Sequence, residues 1–256
     1  MLSLPAVALV LAAVTTPNKP ARPYALLTLA SGHTFRVLNS GPMLDEKGKR
    51  IALAISYLSS ARNAQQLETE AAELFEYLRP HAEHQNDAAV DVIARLNSNG
   101  ESVDLDVLYE RQKRGGWKKA GSARKPFPRV PPPPQPDERN LEAEQAATQD
   151  ANAWLGLLDK GQLEQTWETS APFLRERAPR PQWIESGNAM RAALGNVVSR
   201  KQISVMETDS APSAPPGRYV IVEYRSQYAR QPLAFESVTE VLCDDGKWRV
   251  AGYAIR

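Results

Sequence analysis

The chain has 256 residues, of which 42% are hydrophobic and 24% charged, a globular balance with room for one large domain or two ordinary ones. Its net charge of +1 gives no reason for attraction to nucleic acid or to an anionic membrane. A single cysteine, Cys243, excludes an intramolecular disulfide and any cysteine cluster for zinc or iron, and in its strand-like stretch it reads as an inert core residue.

The chain opens with an apolar run from Leu4 to Val14, too short to cross a bilayer as a helix. It has the size of the apolar part of an export signal and is followed by polar, Pro-rich sequence. No Lys or Arg precedes the run, and the best cleavage position, after Ala12, has Val10 upstream rather than a smaller residue. No cysteine follows it, which excludes a lipoprotein anchor. The expectation for 1–21 is an export segment with a disordered N-terminus, and no integral membrane span.

Residues 22–114 read as a small α+β module. YALLTLASGHTFRVL predicts a hairpin turning at Ser31-Gly32. In KRIALAISYL, Ile51, Leu53, Ile55 and Tyr57 alternate, which predicts a strand. A helix follows, capped by Asn63, with Leu67, Ala71, Leu74, Phe75 and Leu78 at helical spacing and Pro80 at its end. AAVDVIARL and SVDLDVLYERQ then read as strands. The expected module is an antiparallel sheet of five strands with one face covered by the helix.

GGWKKAGSARKPFPRVPPPPQPDERN, residues 115–140, is the clearest boundary. Pro131–Pro134 favour extended polyproline II, and Lys118, Lys119, Arg124, Lys125 and Arg129 make the stretch basic. It reads as a solvated, semi-rigid linker. Trp117 is the one tryptophan outside a helical or strand pattern, and so the candidate contact for a partner protein.

Residues 141–256 read as a second α+β module, with Asp137 before it as a candidate N-cap. Ala151, Trp154, Leu155 and Leu158 form one helical stripe, and Gly161 ends that helix. A second helix follows, and Pro181 opens a third, with Trp183, Ile184, Met190, Leu194 and Val197 as its stripe and Gly187 as a weak point. Four strands come next: KQISVME, GRYVIVEYRSQY, PLAFESVTEVLC and KWRVAGYAIR. Asp245-Gly246 turns between the last two, and Gly252 marks a bulge after which Tyr253 and Ile255 take over the apolar role. Three helices followed by an antiparallel meander predict a sheet curling around its helices.

In order, AWLGLLDKGQLEQTW, MRAALGNVVSRK, GRYVIVEY and DDGKWRVAGYAIR resemble the bacterial family catalogued as domain of unknown function 4019, over about residues 141–256. At the level of fold, the helix-Asp-x-Gly-helix opening and the curled sheet also look like the cone shared by ketosteroid isomerase and nuclear transport factor two. The first resemblance implies a fold and a bacterial envelope location, periplasmic or secreted. It implies no reaction.

A cone of this kind has a mouth that can serve as a pocket. The polar residues on or near its walls include Asp159, Glu164, Arg191, Arg200, Glu223, Tyr224, Glu236, Glu240, Arg249 and Tyr253. From these, Glu236, Tyr253, Arg191, Arg249 and Glu223 form the candidate pocket. Glu236 would be the general base and Tyr253 the donor to an oxyanion. Against that, the same residues serve as structural ion pairs, Glu236 with Arg191 or Arg249. His81 and His84 flank Glu83 near Pro80 with no third ligand, and Asp104 and Asp106 share a strand face without a calcium loop, so no metal site is expected. There is no phosphate loop, dinucleotide fingerprint, nucleophile elbow or HExxH, so no cofactor is expected. The expectation is a non-catalytic envelope protein that binds an unknown protein partner, for instance an immunity or inhibitor protein against a secreted toxin. The alternative is a small-molecule binder, hydrolase or isomerase using the cone. Homodimerisation through the outer sheet face fits either.

Overall fold

The structure, a computed structural model, describes residues 24–98, 101–122, 139–211 and 214–256. The expected export segment and the proline run of the expected linker lie outside the described residues. The fold is α+β, with five helices among the described residues. It divides into two compact units, one built on residues 24–29 and 33–122, the other on 30–32 and 139–256.

In the first unit β1 (Ala25–Leu29), β2 (Thr34–Leu44) and β3 (Arg50–Leu58) form an antiparallel meander. Gly32, at φ +87°, supplies the left-handed residue of the first turn. Helix α1 (Ala64–His84) begins where the Asn63 side chain accepts the Gln66 N–H at 2.9 Å. It buries Leu67, Ala71, Leu74, Phe75 and Leu78. β4 (Ala89–Ser98), β5 (Glu101–Arg111) and β6 (Trp117–Ser122) complete the unit. Val90, Val92 and Leu96 of β4 and Leu105 and Val107 of β5 alternate into the core.

Three expectations for this unit are corrected. The sheet is not wholly antiparallel: β4 runs parallel to β3, because α1 carries the chain back to the end from which β3 started. Pro80 does not end α1, which continues to His84. Leu78 and Ala82 are buried on either side of it, so packing compensates for the lost N–H bond. The chain does not leave the sheet at Gly116 either. Residues 117–122 pair with β5 as a sixth strand.

In the second unit α2 (Leu141–Asp159) is capped by Asn140, which accepts the Ala143 N–H at 3.0 Å, while Asp137 lies outside the described residues. Gly161, at φ +75°, ends its turn. α3 (Leu163–Thr169), α4 (Pro172–Arg177) and α5 (Arg180–Leu194) follow, four helices where the sequence predicts three. At 6 residues α4 is too short to show a helical period. Val197 opens the next strand instead of closing the α5 stripe. Gly187 of α5 is a contact point as well as a weak one. A Cβ there would lie 2.7 Å from Leu163 Cδ2 of α3.

β7 (Val197–Thr208), β8 (Tyr219–Tyr228), β9 (Ala234–Leu242) and β10 (Trp248–Ile255) form an antiparallel meander. Gly246, at φ +76°, turns the last hairpin. The register shifts between Val250 and Gly252, the bulge expected there, and Tyr253 then packs on the core. The final residue exchanges both backbone bonds with Phe235, at 2.9 and 3.0 Å. Ala147, Ala151, Trp154, Leu155 and Leu158 of α2 fill the helix-facing side of this sheet against Val220, Val222, Val238 and Val250. A fully buried leucine such as Leu155 contributes roughly 1.5–3 kcal/mol, so the helix is held by its stripe.

Candidate functional site

The strand alternation decides which polar residues face the helices. In β9, Glu236 and Glu240 share a side with the core residue Val238. In β8, Tyr224 shares a side with Val220 and Val222. After the bulge Tyr253 faces the same interior.

Arg200 of β7 binds the side chain of Glu236, Nε to Oε1 at 2.8 Å and Nη2 to Oε2 at 3.1 Å. The same guanidinium donates to Asp159 at the end of α2, at 2.7 and 3.0 Å. Tyr253 donates its hydroxyl to Glu236 Oε2 at 2.8 Å, and Arg200 Nη2 reaches the Tyr228 hydroxyl at 3.3 Å. The Glu236 side chain is 0% exposed and that of Arg200 is 14% exposed. From α5, Arg191 donates to the carbonyls of Leu158 and Asp159 at the C-terminal end of α2. One cluster thus ties the last turn of α2 to four strands and to α5.

Burial pushes the Glu236 carboxyl up, but the bonds and charge of Arg200 outweigh it and leave the group below its usual value. Burial would weaken the Arg200 charge, and the bonds to Asp159 and Glu236 reverse this and hold it protonated. Burial, reinforced by the neighbouring Glu236 charge, lifts the Tyr253 hydroxyl well above its usual range. A general base needs a raised pKa and a free lone pair facing substrate. Glu236 is shifted the other way, and its oxygens accept from Arg200 and Tyr253.

A second interior group lies further along β9. Glu240 is 0% exposed, and neither of its oxygens has a hydrogen-bond donor among the described residues. Burial pushes its carboxyl up to about 9, with the charge of Asp150 adding to the shift. Asp150, on α2, is also raised by burial.

Residues 150–253 match the family described as Protein of unknown function (DUF4019). The DUF4019 match bears out the resemblance read from four blocks of sequence. It spans every side chain of both interior groups. A family so described assigns them no reaction. None of the curated proteins compared with the chain matches it.

The remaining candidates fall elsewhere. Glu223 lies on the opposite face of β8, where Ser204 donates to it at 3.1 Å. Arg249 pairs with Asp245 within its own hairpin, at 2.8 and 2.6 Å. The ion pairs expected for Glu236 with Arg191 or Arg249 are therefore replaced by one with Arg200, 36 residues away in sequence. Asp150, half-buried on α2 between Ala147 and Trp154, is not among the candidates of the sequence analysis.

In the first unit Trp117 is half-buried. It sits edge-on to Phe75, with ring centroids 5.6 Å apart, and donates to Glu83 at 2.8 Å. Asp104 is held by Arg95, at 2.7 and 2.8 Å. Among the described residues no three His, Cys, Asp or Glu side chains gather as a metal ion would require. No helix among them is long and apolar enough to cross a membrane.

Proposed function

We propose that the chain is a non-catalytic protein of the bacterial envelope, exported or periplasmic, that acts by binding another protein. A periplasmic immunity or inhibitor protein is one concrete form. The observation that carries the reading is an exposed apolar tip on the β2–β3 hairpin. Met43, Leu44 and Ile51 are 40%, 57% and 41% exposed, where water should disfavour them. Register brings them together: Met43 opposes Ala52, and Leu44 opposes Arg50. The apolar run at Leu4–Val14 supports the location.

The alternative, a ligand or substrate in the cone, loses its support in the interior. Trp154, Leu155, Leu158 and Leu163 fill the space, and the nominated base is neutralised by Arg200. The test is affinity capture from envelope and culture-fluid extracts with the native chain and a Leu44→Asp variant as baits. A stoichiometric protein retained by the first and lost with the second supports the reading. Capture of no protein, with a small molecule co-purifying, overturns it in favour of the cone.

A further inference from the structure

The apolar tip of the β2–β3 hairpin does not stand alone at its end of the first unit. The Ala88 N–H donates to the Ile51 carbonyl at 3.0 Å, and the Arg111 N–H donates to the Ala88 carbonyl at 2.9 Å. This row runs from β3 past the start of β4 to the end of β5. The turn after β5 therefore begins two strand spacings, about 10 Å, from Ile51. Both turns carry cations. Lys47 and Lys49 on the tip, and Lys113 and Arg114 on the β5–β6 turn, are exposed. None of these side chains has an ion pair among the described residues. The acidic groups of this end are otherwise engaged. Arg50 donates to both oxygens of Asp87 at 2.6 Å. Asp45 accepts the backbone N–H groups of Lys47 and Lys49, at 2.9 and 2.8 Å, which fixes the turn of the tip. Glu110 stands opposite Lys118 across the ladder. On the two turns, Glu46 is the exposed carboxylate that is left.

Resting on the reading of the tip as a protein contact, we propose that the partner presents an apolar socket bordered by carboxylates. The socket takes Met43, Leu44 and Ile51, and its acidic rim faces Lys47, Lys49, Lys113 and Arg114. An apolar knob edged with unpaired positive charge is complementary to a surface that is apolar at its centre and negative around it. A bilayer of anionic lipid matches the charge but not the rest. Residues 43–51 hold no Trp or Tyr to sit at a membrane interface, and Glu46 would meet the headgroups.

The experiment is affinity capture from envelope extracts with three full-chain baits: the native chain, Leu44→Asp and Lys113→Glu/Arg114→Glu, each first shown to be folded by circular dichroism. The double reversal alters exposed turn positions away from the apolar tip. The protein retained by the native bait should carry net negative charge and should bind the reversed bait at least about tenfold more weakly. Raising the salt from about 0.05 M to about 0.5 M should weaken the native complex more than that of the reversed bait. Equal binding of the two baits, or a retained partner of net positive charge, would overturn the proposal while leaving the tip contact standing, since Leu44→Asp reports on that alone. Capture of no protein would overturn both readings. Co-sedimentation of the native chain with phosphatidylglycerol vesicles would then assign this end to a membrane surface instead.

Discussion

Arg200 and Glu236 meet through two hydrogen bonds, at 2.8 and 3.1 Å, in a place where the glutamate has no access to water. The pair joins β7 to β9, and Asp159 extends it to the end of α2. A buried ion pair adds little net stability relative to apolar side chains of the same volume, but it is costly to break from one side. Arg200→Met should therefore destabilise the second unit by about 3–5 kcal/mol, because Glu236 is left buried and unpaired. The double variant Arg200→Met/Glu236→Leu should recover most of that loss. Urea unfolding of the three proteins checks it, and a double variant no better than the single one would contradict the pairing.

The same pair sets an acid limit. Glu236 is held below its usual pKa, so the stability it contributes is present above the unfolded value of 4.5 and is lost as pH falls through the folded value. Unfolding midpoints measured on the acid side of that value should fall steeply in the wild type and less steeply in Glu236→Gln.

Gly187 lets α5 approach α3. Alanine is intrinsically better in a helix by about 1 kcal/mol, yet its Cβ would press on the buried Leu163, which has little room to turn. Gly187→Ala should be destabilising by about 1–3 kcal/mol, the usual cost of overpacking. Combining it with Leu163→Ala should cost less than the sum of the two single changes, because the clash is gone. Thermal unfolding of the four proteins in the cycle measures the coupling, and strict additivity would remove the contact from the account.

The apolar tip should behave differently from all of these. Leu44 is 57% exposed, so Leu44→Asp should change stability by no more than about 0.5 kcal/mol while abolishing partner capture. Calorimetry beside the capture assay separates the two. A variant that unfolds has lost its fold, and one that stays folded and keeps its partner shows that the tip is not the contact.

Legibility in the sequence follows the range of each interaction. The α1 and α2 stripes, the Gly161 break, the Asp245-Gly246 turn and the Gly252 bulge are local patterns, and each appears where the sequence places it. The parallel entry of β4 is not local, since it depends on which end of the sheet α1 returns to. The six residues of α4 are too few for a period. Trp117 looked solitary because its partners, Phe75 and Glu83, stand on a helix more than thirty residues away. Of the candidate pocket, Glu236 and Tyr253 do meet, Arg191 joins them through Asp159, and Arg249 and Glu223 stay apart. Alternation could not tell which face of β9 points inward, since both faces mix apolar and charged residues. Only the packing of α2 shows that Glu236 and Glu240 are inside.

The central claim is that the interior cluster is structural and the hairpin tip is functional. The most direct test is affinity capture from envelope extracts with two altered baits, Arg200→Met/Glu236→Leu and Leu44→Asp, each first shown to be folded by circular dichroism. The account predicts that the interior variant retains the partner protein and the tip variant does not. Retention by the tip variant, with loss by the folded interior variant, would contradict it.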